Sequence, residues 1–333
     1  MMQRDGGASQ SETHVHRALS EVERMRRALA GPRAIALGGG GARGIAYAGV
    51  VRALARYPSL APHCVVGTSV GSVAAALLAS GVPAEHIQRF SEELDWFSHV
   101  IELKDLLRWD RGSAAGLVSN RKLGDIVNQR LDGRSFDDLP IDLAVVATDL
   151  EHRARVIMTS RRLAERIDHA MLEAFLPSPA DGLPGIDTIV VSNVSDVGLA
   201  VRASCAVPGV FRPVAVAGRK LLDGGLVDQT PTDVARASGA RFTVAVSLGL
   251  AFISQALSTP LHSLSSTIGI LGMPQLRRSL DLADIGFEIS GIRERSAVKA
   301  HQFDLIEIGD RDTEAALYRY FGRDVKSLIH ECC

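Results

Sequence analysis

The stretch Ala34-Ile35-Ala36-Leu37-Gly38-Gly39-Gly40-Gly41-Ala42-Arg43-Gly44 governs the reading of the whole chain. Its four apolar residues read as a short buried strand, its glycines as a tight turn, and residues 45–57 as the helix that follows. The pattern repeats once. Cys64-Val65-Val66 runs into Gly67-Thr68-Ser69-Val70-Gly71, and then into an Ala/Leu-rich helix ended by Gly81 and Pro83. Two consecutive strand–turn–helix units predict neighbouring parallel strands, with both turns at the same edge of the sheet.

Working outward, residues 143–149 read as a strong strand that pairs with residues 155–158 through a turn. Helices are expected near residues 84–98, 121–131, 163–175 and 197–206. Lys220-Leu221-Leu222, Phe242–Ser247 and Leu305-Ile306-Glu307-Ile308 are expected as strands, the last of these closing the sheet. Strands alternating with helices predict an α/β domain with a central, mostly parallel sheet covered on both faces. This domain is placed at residues 33–310. Residues 1–32 form a polar tail and an amphipathic helix, whose stripe is Val15, Leu19, Val22, Met25 and Leu29, and residues 311–333 form a helical tail. The Pro- and Gly-rich residues 177–185 are expected to be a lid or an insertion. Residues 251–279 are apolar but broken by Pro260, Gly269, Gly272 and Pro274. A packed helix pair is expected there ahead of a flap or a lipid-touching surface.

A chain of 333 residues with 46% apolar content can bury a large core. A formal net charge of −1 with few aromatics gives no footprint for a nucleic-acid partner. Cys64 and Cys205 sit in apolar runs and are expected to be buried thiols. No cysteine pair has CxxC spacing, so neither a zinc site nor a redox motif is suggested. Cys332-Cys333 lacks the pattern of a prenylation signal. The polar N-terminus has no secretory h-region, and no run of 18 apolar residues predicts a spanning helix. The expected location is the cytoplasm, with peripheral contact at a membrane admitted.

The chemistry follows from the turns. A serine at a sharp strand-to-helix turn stands clear of the sheet and faces a helix N-terminus, which favours an alkoxide. Ser69 is therefore the candidate nucleophile, with Gly67 and Gly71 permitting the close packing; the plainer alternative is an N-capping serine. Gly39-Gly40-Gly41-Ala42-Arg43-Gly44 satisfies GxGxxG, but a dinucleotide site wants a carboxylate at the end of the second strand. That strand ends in Gly67-Thr68-Ser69. A phosphate loop would end in Gly-Lys-Ser/Thr, which is absent. The N–H groups of Gly39, Gly40 and Gly41 fit an oxyanion hole better. Arg43 either orients an anionic head group or pairs with a carboxylate. A nucleophilic serine needs a base, and none of the ten histidines offers itself: His262 and His301 come late in the chain, but neither sits in a turn directly after a strong strand. Asp223, in Leu221-Leu222-Asp223-Gly224-Gly225, is the better candidate, although Asp-Gly alone is a common turn.

These three motifs, in this order, resemble those of bacterial patatin-like phospholipases. Gly39 to Gly44 matches the family's oxyanion motif, Gly67 to Gly71 its nucleophile elbow, and Asp223-Gly224-Gly225 its Asp-Gly-Gly motif. Ala203-Ser204-Cys205-Ala206-Val207-Pro208-Gly209-Val210-Phe211 resembles the stretch upstream of the family's aspartate. Two parts depart from the pattern: the long stretch near residues 161–186 and the N-terminal helix. The resemblance implies a three-layer α/β/α fold and a Ser69–Asp223 dyad without histidine. It also implies hydrolysis of (phospho)lipid esters through an acyl-enzyme, with no metal or cofactor. Alternatives are a thioesterase or general carboxylesterase on the same fold, or a silent lipid- or partner-binding regulator. The expected partner is a lipid ester; a homo-oligomer is admitted.

Overall fold

A computed structural model describes Arg26 and residues 28–93, 118–175, 185–249, 260–290 and 302–321. Most of the stripe expected over residues 15–29, the 177–184 part of the expected lid, the His262 and His301 side chains, and Cys332-Cys333 lie outside the described residues.

Strand β1 (Arg33–Leu37) ends in the glycine turn, a 3-10 turn at Gly41–Ile45, and helix α1 (Ala46–Ala55). Strand β2 (Cys64–Thr68) leads into α2 (Val70–Ala79), followed by α3 (Ala84–Glu93) and α4 (Arg121–Arg130). The hairpin β3 (Asp142–Asp149) and β4 (Ala154–Thr159) precedes α5 (Arg161–Ala164), α6 (His169–Phe175) and β5 (Asp187–Val191). Then come α7 (Val197–Ser204), β6 (Val214–Val216), β7 (Arg219–Asp223), α8 (Thr232–Ala237) and β8 (Phe242–Ser247). The last elements are α9 (Pro260–Leu282), β9 (Ile285–Glu288) and α10 (Gln302–Phe321).

The sheet runs β5-β4-β3-β2-β1-β8-β9, with β7 on β3 and β6 on β7. It is mostly parallel; the antiparallel pairs are β3 with β4, β3 with β7, and β6 with β7. Central strands are buried along their whole length, as a sheet covered on both faces requires. Their side chains alternate between two cores. Ile35, Leu37, Val65 and Val145 face the layer that contains α1, α2, α4, α7 and α10. Ala34, Ala36, Val66 and Val146 face α5, α6 and α8. The result is the expected three-layer α/β/α arrangement.

Three local expectations fail. The helix pair expected within residues 251–279 is, over the described residues, the single helix α9, which runs through Gly269, Gly272 and Pro274. Residues 305–308 are helical, not a strand. A four-residue apolar run does not separate helix from strand. The longer window does: Leu305, Ile306, Gly309, Thr313, Ala316 and Leu317 are buried at helical spacing. The opposite stripe, Glu307, Asp310 and Glu314, meets Arg52 and Arg56 of α1. Residue 310, the expected end of the domain, thus falls inside a helix packed on α1. The closing strand is β9, whose Ile-Gly-Phe-Glu sequence carries little strand signal. The helix expected over 163–175 is split. Asp168 accepts from the Met171 N–H at 3.1 Å and so caps a new helix, α6.

Candidate active site

The sheet itself brings Ser69 to Asp223. Strand β3 is the template for both. Thr68, at the end of β2, pairs with Val146, and Asp223, at the end of β7, pairs with Ala147 on the next rung. The parallel β2 and the antiparallel β7 therefore meet end to end along one edge of β3. Ser69, the residue after Thr68, faces the aspartate, and its Oγ donates to Asp223 Oδ2 at 2.6 Å.

Ser69 sits at φ 53°, ψ −131°, a conformation that a non-glycine residue holds only when its surroundings enforce it. Its N–H donates to Ser204 Oγ at 2.8 Å, and the Ser204 hydroxyl donates to the Val146 carbonyl at 2.6 Å. Its carbonyl accepts from the Ser72 N–H and hydroxyl. Close packing completes the elbow. A β-carbon at Gly71 would lie 2.1 Å from the Leu37 carbonyl oxygen, so only glycine lets α2 start against the end of β1.

The glycine turn abuts this elbow: a β-carbon at Gly39 would come within 3.2 Å of the Ser69 Cβ. Its peptide planes are held individually. Tyr47 donates its hydroxyl to the Gly38 carbonyl at 2.6 Å, and the Gly39 N–H donates to the Gln229 carbonyl at 3.0 Å. Gly39 therefore does not present its N–H as the sequence led us to expect. Arg43 donates to the carbonyls of Gly40, Leu248 and Gly249. Carbonyl and N–H point in opposite directions across a trans peptide. Holding the Gly40 carbonyl thus aims the Gly41 N–H away from Arg43. These bonds make the arginine a clamp on the turn, a role that neither sequence expectation covered. No described residue accepts from the N–H of Gly40 or Gly41, and both residues reach the surface. Ala42 and Gly44 belong to the 3-10 turn.

Asp223 is held as tightly. Its Oδ1 accepts from the Gly225 N–H at 2.8 Å, its carbonyl from Thr148 Oγ1 at 2.8 Å, and its N–H donates to the Ala206 carbonyl at 3.0 Å. Gly224 packs its backbone on the Val146 carbonyl. Burial pushes the Asp223 carboxyl up to about 6, against the lowering effect of its bonds from Ser69 and Gly225. Burial, with Asp223 nearby, also pushes the Cys205 thiol up, so that thiol stays protonated beside the site. A buried carboxylate at hydrogen-bond distance from a strained serine can take its proton.

The residues after Asp223 tie the two halves together. The Asp228 N–H donates to the Gly224 carbonyl at 2.9 Å, and Gln229 holds Gly39. Arg155 of β4 donates to Asp228 Oδ2 at 2.8 Å and to Asp233 Oδ2 at 2.6 Å, all three side chains fully buried.

The family model described as patatin-like phospholipase matches residues 35–236, which contain the glycine turn, Ser69 and Asp223. The chain belongs to the patatin-like phospholipase family. Uncharacterized NTE family proteins of Mycobacterium bovis and Mycobacterium tuberculosis are 32% identical over 224 residues, covering 67% of this chain and 51% of theirs. The match thus spans about half the length of these relatives. Patatin-like phospholipase domain-containing protein 7 of Rattus norvegicus is 27% identical over 235 residues, 69% of this chain and 14% of that protein. Among solved structures, VipD from Legionella pneumophila aligns with a TM-score of 0.45 at 15% identity, covering 87% of this chain and 67% of that one.

Within this patatin-like site, sequence reasoning missed Ser204, Thr148, Gln229 and Arg155. Ser204 lay inside the stretch recognised as family-like, which was the available signal. The other three are ordinary polar residues whose roles depend on register and burial.

Proposed function

We propose that the protein is a serine hydrolase of lipid carboxyl esters, working through Ser69 and Asp223. The observation that carries this reading is the 2.6 Å bond from the Ser69 hydroxyl to a buried carboxylate, beside a clamped glycine turn. Asp223 accepts the hydroxyl proton as Ser69 Oγ bonds to the ester carbonyl carbon. The N–H groups of Gly40 and Gly41, with the N-terminus of α2, stabilise the resulting oxyanion. Collapse expels the alcohol, which takes the proton from Asp223, and leaves an acyl-enzyme. Water then gives a proton to Asp223 as its oxygen bonds to the acyl carbon; the Oγ–acyl bond breaks, Ser69 Oγ takes the proton back from Asp223, and the carboxylic acid leaves.

Membership of the patatin-like phospholipase family favours a lipid ester, and a small apolar cleft lies along the helix that begins at the nucleophile. It is lined by Val70, Val73, Ala74 and Leu77, one face of the helix that begins beside Ser69, and by Ile87 and Phe90 of α3. A thioesterase or general carboxylesterase would use the same machinery, and phospholipid vesicles, acyl-CoA and p-nitrophenyl esters separate these substrates. A fluorophosphonate probe tests the nucleophile. Wild type should be labelled and Ser69→Ala should not; equal labelling of both would remove Ser69 from the reaction.

The pH profile follows from the raised carboxyl. Asp223 must be ionised to act as base, so kcat/KM should rise with pH through a single ionisation near 6. A rate that stays flat from about pH 5 to about pH 8 is incompatible with Asp223 as the base.

A further inference from the structure

We propose that the solvent face of α9 is the surface on which the protein meets an anionic lipid interface. Ile270 is 56% exposed, Leu271 75% and Met273 36%, all on one turn. The other large exposed apolar side chains among the described residues, Leu150, Met171 and Tyr318, are scattered on separate elements. The next turn of the same face carries Arg277 and Arg278, both exposed. Residues 270, 273, 274, 277 and 278 share that face by the i, i+3, i+4 spacing of a helix, Leu271 lies at its edge one heptad before Arg278, and the exposed Asp281 follows Arg277 and Arg278 on it, which leaves this stretch with one net positive charge. Leu276 and Ser279 are buried and dock the opposite face on the domain. No described helix is long and apolar enough to cross a membrane. An apolar turn beside a basic one is instead the composition of a helix lying in the interface, with apolar side chains among the acyl chains and guanidinium groups at the phosphates.

The position of this face agrees with its chemistry. The Gln275 side-chain amide donates to the Val227 carbonyl, four residues after Asp223. The helix that carries the exposed patch is thus anchored to the segment that follows the carboxylate. Three apolar side chains fall well short of the roughly 800 Å² per partner that a stable protein interface buries. That area argues against a second copy of the chain as the occupant, and the arginine pair favours negative headgroups. The proposal takes its purpose from the lipid-ester reading, but it is testable without turnover.

The experiment is flotation of Ser69→Ala protein with phosphatidylcholine vesicles and with mixed phosphatidylcholine–phosphatidylglycerol vesicles. The protein should bind the mixed vesicles more tightly, and added salt should weaken that binding. Ile270→Asn combined with Leu271→Asn should lower partitioning to both vesicle types by at least about tenfold. Arg277→Gln combined with Arg278→Gln should lower it only on the mixed vesicles. In the Ser69-intact background, both double variants should hydrolyse a water-soluble ester at the wild-type rate, which shows that they fold. Failure of the starting protein to bind, or unchanged partitioning of the double variants, overturns the proposal. So does a wild-type dimer that dissociates on Leu271→Asn, since that outcome makes the face a contact between copies. Vesicle binding without fluorophosphonate labelling of wild type would instead sink the hydrolase reading and leave this surface standing.

Discussion

Asp223→Asn is expected to lower kcat by about a thousandfold or more while leaving the fold intact. Asparagine preserves the shape, and its carbonyl still accepts from Gly225, but it cannot take a proton from Ser69 at any working pH. Folding is not the weak point, and the sign can be worked out. In the native state burial keeps the carboxyl protonated up to about pH 6, whereas an unfolded aspartate releases its proton near pH 4. Between those values the native state binds more protons, so stability falls as pH rises through the window. Above it, the ionised Asp223 opposes folding. The neutral asparagine removes that cost, so Asp223→Asn should melt no lower than wild type at neutral pH. Steady-state kinetics on a soluble ester and thermal melts at two pH values measure both halves. A kcat within about tenfold of wild type would mean that another group takes the proton. Loss of activity with an unchanged or raised Tm assigns the loss to chemistry.

Much of this was legible in the sequence, for a physical reason. Strand, glycine turn and helix are local signals, and the chain writes them contiguously at residues 34–55 and 64–79. The elbow, the glycine turn and the Asp-Gly-Gly turn could therefore be found one by one. Their convergence depends on β3 serving as a common edge for β2 and β7, a non-local fact. The failures have the same origin. Residues 305–308 satisfied a strand pattern over four positions; the window to residue 317 has helical spacing, and its charged stripe meets Arg52 of α1, more than 250 residues away. Gly39 looked identical to Gly40 and Gly41 as a donor, until the Gln229 carbonyl took its N–H. Arg43 offered two readings, and to these the fold adds bonds to backbone carbonyls of its own turn and of the residues after β8. Local chemistry names candidates; register decides which of them remain available to substrate.

The second large effect is expected at Arg155→Leu, a residue that never touches the serine. Arg155 is the cation between two buried carboxylates, Asp228 and Asp233. Its removal leaves like charges side by side without solvent, a change that costs about 3–5 kcal/mol in comparable buried pairs. The loss should depend on pH. Burial, with Asp233 beside it, already holds the Asp228 carboxyl above the ordinary carboxylate range. A carboxyl raised in the native state makes stability fall as pH rises through its ionisation. Without the guanidinium that tendency grows, so Arg155→Leu should be most damaging at about pH 8 and mildest at about pH 5, where Asp228 holds its proton. Urea melts at the two values measure this, and a difference from wild type below about 1 kcal/mol at both would contradict it. Neutralising the whole cluster, with Arg155→Met, Asp228→Asn and Asp233→Asn together, should recover most of the stability, because no uncompensated charge remains buried. That triple variant also separates holding the fold together from holding the site. Residues 223–233 carry Asp223 at one end and, through Gln229, fix the glycine turn. If the ion pairs set that geometry, the refolded triple variant should react with a fluorophosphonate more slowly than wild type. If packing alone sets it, the labelling rates will match, and the buried charges serve stability only.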